Sequence, residues 1–297
     1  MLTIGTRGSD LALWQANDLL KKLADIDVQA QLKIIKTQGD RVQHLGFDKL
    51  EGKGFFTKEI EEALIDKEID IAVHSLKDLP TESTPKLAIG GLSERADPSD
   101  VLIIHKDHFD SSYILRLKPG SVVGTSAVRR KLQISRFDQN LVIKDIRGNV
   151  PTRINKLRTG EYHGIVLASA GVNRLGIDLS EFEHIKFNPI EFIPSPAQGI
   201  IAYQCRKDDL NVRRILKDVH HKATGLISNV ERKILKLMEG GCQLPLGAYC
   251  YQDDQNNFHC SAIFAPNLLG IVQTARISQS THVGIAEKIV EELKQNT

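Results

Sequence analysis

No apolar run in the 297 residues approaches the length of a membrane span, and mean hydropathy is −0.20. The N-terminus, Met1-Leu2-Thr3-Ile4-Gly5, enters a strand pattern directly, without the basic stretch and apolar core of a signal peptide. The expectation is a cytoplasmic protein with no membrane partner. Aromatic residues are scarce at 5%, net charge is only +2, and there is no basic tail, which sets nucleic acid aside as a partner. The four cysteines, Cys205, Cys242, Cys250 and Cys260, include no C-x-x-C pair, so no disulfide framework is expected. His220 and His221 are adjacent and on a helix would point about 100° apart, a poor metal pair; no metal site is expected.

What is present is alternation of strand and helix signals. Hydrophobic residues make up 41% of the chain, enough for two or three domains with cores of their own. Leu2 to Thr6 reads as a strand, and Ser9 as the N-cap of a helix whose apolar face is Leu11, Trp14, Leu19 and Leu23. Val28 to Lys36 reads as a second strand, and Gly39 to Gly54 as a mobile loop able to serve as a lid. Thr57 caps a helix through Ile60 and Leu64, which leads into the buried strand Ile71 to Val73.

After Pro98 the pattern restarts. Val101 to His105, Val122 to Thr125, Leu141 to Ile146 and Gly164 to Ala168 read as strands, with Ser126 as cap of the helix bearing Arg129 and Arg130. Ile4-Gly5-Thr6 resembles Val123-Gly124-Thr125, and Ile71-Ala72-Val73-His74-Ser75 resembles Ile165-Val166-Leu167-Ala168-Ser169. Two similar α/β lobes facing a cleft are expected. The strand Ile200 to Gln204 would return to the first lobe, giving two crossings and a hinge. The expected domains are residues 1–95 with 198–216, residues 99–193, and a third from 218 to 297. In the third, Gly247 to Arg276 alternate as antiparallel strands between two helices.

Three features carry chemistry. Asp78 follows a buried strand, where ligands bind in open α/β sheets, with Lys77 beside it for an anionic partner; it is a catalytic carboxylate or the organiser of the turn into Leu79-Pro80. Arg129 and Arg130 stand near a helix start, where cations are unfavourable unless an anion binds there. With Arg7, Arg147, Arg153, Arg158 and Arg174 they read as a site for a polyanionic ligand, or singly as solvated surface paired with acids. Cys242 lies between Gly240-Gly241 and Gln243-Leu244-Pro245-Leu246-Gly247; it is an ordinary buried cysteine or, in this glycine setting, a covalent anchor.

Taken in order, Thr6 to Ala16, Ala72 to Asp78, Val123 to Arg130, Arg147 to Val150 with Arg153, and Glu239 to Gly247 resemble the porphobilinogen deaminase (hydroxymethylbilane synthase) family along essentially the whole chain. The resemblance implies two lobes like type 2 periplasmic binding proteins around a hinged cleft, plus a small C-terminal α+β domain with an antiparallel sheet. It implies a monomer with a dipyrromethane cofactor held by a thioether to Cys242. It also implies a transferase that joins four porphobilinogen units, losing ammonia each time, and releases hydroxymethylbilane by hydrolysis.

By the same resemblance, Asp78 is catalytic, and Ser75, Lys77, Asp78, Thr125, Ser126, Arg129, Arg130 and Arg147 hold the cofactor. Arg7, Ser9, Arg147, Arg153 and Arg174 hold substrate carboxylates. Ala127 stands where the family commonly has a second serine, Glu51 where a glycine is frequent, and Gln204 where a glutamate is frequent. The competing reading is a non-enzymatic ligand-binding protein of the same two-lobed build, which leaves Cys242 and the third domain without a purpose. Intact mass separates the two, since only the enzyme carries a dipyrromethane.

Overall fold

The computed structural model describes residues 1–37, 57–82, 84–239, 244–267 and 270–295. By internal contacts the chain divides into two units. One comprises Met1–Ala96 and Gly199–Ser228, the other Asp97–Gln198 and Asn229–Thr297.

The first segment contains β1 (Leu2–Thr6), α1 (Asp10–Ala24), β2 (Ala30–Ile34), α2 (Lys58–Ile65), β3 (Ile71–Ser75) and β4 (Leu87–Leu92). The second contains β5 (Asp100–Ile104), β6 (Val122–Gly124), α3 (Val128–Phe137), β7 (Val142–Lys144), α4 (Val150–Arg158), β8 (Gly164–Ala168), α5 (Ser169–Arg174) and β9 (Glu183–Lys186). The third contains β10 (Ile201–Arg206) and α6 (Leu210–Asp218), and α7 (Lys222–Leu237) crosses the next boundary. The chain ends with β11 (Leu246–Gln252), β12 (Phe258–Phe264), β13 (Gln273–Gln279) and α8 (Ile285–Gln295).

The two five-stranded sheets repeat one topology. The first unit orders its strands β2-β1-β3-β10-β4 and the second β7-β6-β8-β5-β9. In each, three strands run parallel, and a fourth strand inserts antiparallel between the third and the last. The inserted strand follows a passage of the chain between units: β10 after Gln198–Gly199, β5 after Ala96–Asp97. The sequence pairs that resembled each other fall on equivalent strands, β1 with β6 and β3 with β8. This is the α/β architecture implied for two type 2 periplasmic-binding-protein-like lobes.

Strand alternation decides which side chains reach which core. In β5, Val101 and Ile103 join Ile154, Leu157, Ile165 and Leu167, while Leu102 and Ile104 join Val123, Ile134, Val166 and Phe192 on the other face. In the first unit, Ile4, Leu19, Leu23, Ile71, Val73, Tyr203 and Leu216 form one core, and Ile60, Leu64, Ile69, Ala72 and Leu87 the other. The expected α1 face needs correcting. Gln15, Ala16, Leu19 and Leu23 are the buried row, and Trp14, one residue and about 100° off it, is 39% exposed.

The C-terminal strands form an antiparallel sheet, β11-β12-β13. β11 is an edge strand, and its outward N–H groups are taken up inside the same unit. Ala248 N–H donates to Pro194 O (3.0 Å), and Cys250 N–H donates to the buried Glu231 carboxylate (2.7 Å). The other Glu231 oxygen accepts from Ala197 N–H at 2.6 Å, where Ala197 has a φ of 64°. A cap on both sides holds a non-glycine residue in the left-handed region.

Gly247 has no room for a side chain. An added Cβ would lie 2.7 Å from Ile193 O and 2.9 Å from Ile263 Cγ2. Because the nearer atom is backbone, Gly247→Ala should cost roughly 1–3 kcal/mol. A lower denaturant midpoint at unchanged m-value is the expected result; an unchanged midpoint would mean that β11 shifts freely against the 193–198 segment.

Candidate active site

In the first unit the strand ends carry the candidate groups. β1 runs out into Arg7 and Ser9, and Ser9 caps α1 as expected, its Oγ accepting from Ala12 N–H at 3.4 Å. β3 ends at Ser75, whose hydroxyl accepts from Gln15 Nε2 at 2.9 Å. Leu76–Asp78 then makes one 3-10 turn. That turn delivers Lys77 and Asp78 together, with Arg7 within electrostatic reach of the carboxylate.

Asp78 is an exposed residue, yet enough protein surrounds its carboxyl for desolvation to act on it. Desolvation pushes its pKa up, while the positive charges of Lys77 and Arg7 pull it back down. His74, two residues before the turn, is 6% exposed. Burial holds its pKa down to about 4, with a contribution from Arg7 and opposition from Gln204. Its Nε2 has no hydrogen-bond partner among the described residues.

In the second unit the site forms around β6 and the start of α3. Thr125 is buried, and its hydroxyl accepts from Ala127 N–H at 3.3 Å. Ser126 is not the helix cap. The N-cap is Ala127, without a side-chain bond, because Ser126 Oγ instead donates to Ile146 O (2.7 Å) and accepts from Ile146 N–H (3.1 Å). Thr57 likewise occupies the N-cap of α2 without a side-chain capping bond to the helix.

Arg129 and Arg130 are 5% and 6% exposed, so neither is solvated surface. Both bind Asp100, the first residue of β5 and itself fully buried. Arg129 Nη1 donates to Oδ2 and Arg130 Nη2 to Oδ1, each at 2.8 Å. Gln198 Nε2 also donates to Oδ1 at 2.8 Å. Each arginine also donates to backbone, Arg129 Nη1 to Ile193 O and Arg130 Nη1 to Val166 O. Arg130 Nε is buried and has no partner among the described residues. The guanidinium charges hold Asp100 far below the usual carboxylate range in spite of burial.

Arg153 sits at the fourth position of α4, whose start is fixed by the Asn149 cap and Pro151. Its Nε donates to Gly148 O at 2.8 Å. Gly148 has a φ of 112°, and an added Cβ would meet Thr152 at 2.5 Å, so the turn that presents this carbonyl requires glycine. Burial, with the like charges of Arg130 and Arg147, lowers the Arg153 pKa to about 10. Three guanidiniums within reach of one another are the electrostatic mark of an anion site. Arg174 lies in the last turn of α5, half-buried. Cys242 and the 39–54 loop lie outside the described residues.

Sequence reasoning missed Asp100, Gln133, Gln198 and Glu231. Asp100 had a signal: an acid placed at the head of an otherwise wholly apolar strand, Val101 to Ile104, must be buried with a partner. Gln133 binds both Ile193 O (2.9 Å) and Ile193 N–H (2.7 Å), a pairing that no local spacing announces.

A lobed α/β framework carrying catalytic-type carboxylate and arginine clusters at strand ends and helix starts defines the class, an enzyme acting on carboxylated small molecules. Residues 2–214 match the family model described as porphobilinogen deaminase, dipyromethane cofactor binding domain. Porphobilinogen deaminase of Clostridium novyi is 40% identical over 99% of this chain and 97% of its own. The probable porphobilinogen deaminase of Methanocaldococcus jannaschii is 43% identical over 86% and 85%. A periplasmic substrate-binding protein of an ABC transporter from Coxiella burnetii aligns over 75% of this chain and 94% of its own, with 13% identity and a TM-score of 0.45. The chain belongs to the porphobilinogen deaminase family, transferases of tetrapyrrole biosynthesis with a dipyrromethane cofactor.

The residues present fit that cofactor. Two buried guanidiniums share one carboxylate, which leaves one positive charge unmatched, and Arg130 Nε is a buried donor without an acceptor. An anionic oxygen supplies what both lack.

His74 makes the stability of the first unit pH-dependent. Its folded pKa is depressed, so its contribution is complete above the unfolded value of about 6.5 and falls as pH drops toward about 4. The loss across that window is about 3 kcal/mol. Urea unfolding at pH 7, 5.5 and 4 should show this component in the wild type and its absence in His74→Gln. Identical pH slopes for the two proteins would show that His74 is protonated freely in the fold.

Proposed function

We propose that the chain catalyses deaminative tetramerisation of porphobilinogen to hydroxymethylbilane, with Asp78 as the catalytic carboxylate. The observation that supports this most is the convergence of Arg130, Arg147 and Arg153 beside a buried, carboxylate-held arginine pair, in a segment matching the family's cofactor-binding domain. Each porphobilinogen carries an acetate and a propionate, so a growing chain presents many carboxylates to such donors. Ammonia release from porphobilinogen by the purified protein, together with a dipyrromethane in its intact mass, is the test. A chain without either is a binding protein.

The dipyrromethane, when bound, supplies the pyrrole carbon to which substrate units are added. Cys242 anchors it by a thioether. Ser75, Lys77, Thr125, Ser126, Arg129, Arg130 and Arg147 hold its carboxylates, and Arg7, Ser9, Arg147, Arg153 and Arg174 hold those of the substrate. Loss of ammonia leaves positive charge on the substrate pyrrole. Asp78 stabilises that charge and accepts the proton released when the new bond is complete. Its pKa, raised by desolvation, makes it a better proton acceptor, and the charges of Lys77 and Arg7 oppose that rise. The same reading makes the protein a cytoplasmic monomer. Among the described residues no helix is long and apolar enough to cross a membrane.

Asp78→Asn should fold but lose on the order of 10²–10³ in turnover, because an amide neither offsets the charge nor takes the proton. Asp78→Glu should retain more. If Asp78 only shaped the turn, Asn would be nearly silent and Glu the worse of the two, so ammonia release by both purified variants decides the matter.

Cys242→Ser should give a folded protein without covalent cofactor, since a hydroxyl is a far weaker nucleophile than a thiolate. An acid Ehrlich-type reaction is expected to be positive for the wild type and negative for the variant. A positive variant would place the anchor on another residue.

A further inference from the structure

We infer that Asp100 is a positioning residue of the anion site: its one carboxylate holds Arg129 and Arg130 together and cancels one of their charges, leaving the other for one cofactor carboxylate. This rests on the reading of the site given above.

The geometry is specific. Each Asp100 oxygen takes one guanidinium, both at 2.8 Å, and Oδ1 takes Gln198 Nε2 as well. With Asp100 fully buried and the arginines nearly so, no solvent is available to replace it. The neighbouring bonds aim the pair rather than neutralise it. Ile193 O and Val166 O are uncharged acceptors that fix one Nη1 each. The result is a preformed donor set in which Arg130 Nε is buried and has no partner among the described residues. Without the carboxylate, two like charges would face each other in a desolvated space, each lowering the other's affinity for its proton. The arginines would then separate toward water, and the donor geometry would be lost.

A simple structural ion pair would also be destabilising to break, so stability alone does not identify the role. The charge-balance argument makes two further demands. Removing an arginine together with the carboxylate should restore balance, so the double variant should be more stable than the single one. Loading of the cofactor should also suffer in protein that remains folded.

The test uses full-length protein made in a host that supplies no porphobilinogen, then incubated with porphobilinogen. Asp100→Asn should melt about 5–10 °C below wild type before incubation, and Asp100→Asn/Arg129→Met should recover at least about half of that. Folded Asp100→Asn should gain dipyrromethane mass at least about tenfold more slowly than wild type, and Asp100→Glu, which keeps the charge, faster than Asp100→Asn. Wild-type loading by Asp100→Asn, or a double variant no more stable than the single one, overturns the inference. If Asp100→Asn does not fold, a folded double variant supports the inference and an unfolded one overturns it. Wild-type protein that never gains dipyrromethane mass overturns the reading of the site itself, a different failure from the others.

Discussion

Two guanidinium groups cannot be buried side by side without a counter-charge, and that constraint organises the second unit. Desolvating one ion costs several kcal/mol, and desolvating two of like sign adds their repulsion. Asp100 meets the requirement from the first position of β5, where the backbone of a central strand fixes its Cα. Residues from α3, from the loop after β9 and from the strand itself are thereby tied to one carboxylate. The arrangement is not a stabilising device in itself, since well-packed apolar residues would hold the same space as well or better. Its retention follows from what an apolar substitute would lack, a fixed array of donors with positive charge to spare.

The segment 193–198 has several holders. Arg129 and Gln133 bind Ile193, β11 binds Pro194 through Ala248, and Glu231 binds Ala197 in its left-handed conformation. Glu231 also binds Cys250, so the edge strand that follows Cys242 in sequence is pinned to the same short segment as the arginine pair. Gly247 lets β11 approach closely enough for this. Sequence neighbours of Cys242 and the donors at Asp100 therefore share a backbone reference inside one unit, which is how a small sheet added to an α/β lobe can be registered to the lobe's binding groups.

Much of this was legible in the residues. Short apolar runs located β1, β3, β5, β8 and β10, and the internal resemblance between Ile4-Gly5-Thr6 and Val123-Gly124-Thr125 anticipated the repeated sheet order. Boundaries were less exact: Leu141 to Ile146 contracts to Val142–Lys144, because only three residues pair with β6. β4 and β9 escaped notice since their pattern is not strongly apolar: β4 has adjacent glycines and β9 reads Glu-His-Ile-Lys. The arginines at a helix start were read as a site for an anionic ligand or as paired with acids, and the anion they contact is the internal Asp100 carboxylate. Asp100 lies 29 residues from Arg129, and nothing in local spacing joins them. Long-range pairings of this kind are set by the sheet order, which a reading of periodicities does not supply.

Asp78, the carboxylate proposed as catalytic, is balanced differently from Asp100. Asp100 has two guanidiniums in direct contact, and its affinity for a proton is driven far down; it is a permanent anion. At Asp78 desolvation outweighs the opposing charges of Lys77 and Arg7, so its affinity for a proton is raised. A carboxylate held as firmly as Asp100 would stabilise a cation but could not take up its proton, because general-base efficiency rises as the pKa approaches working pH. A carboxylate with no cations nearby would take the proton too early and lose the charge that the cationic species requires. The 3-10 turn after β3, which sets Lys77 next to Asp78 and both beyond the strand end, places the acid between these limits. The roles proposed for the two aspartates thus rest on opposite balances, one carboxylate held far down by two guanidiniums and the other raised by desolvation.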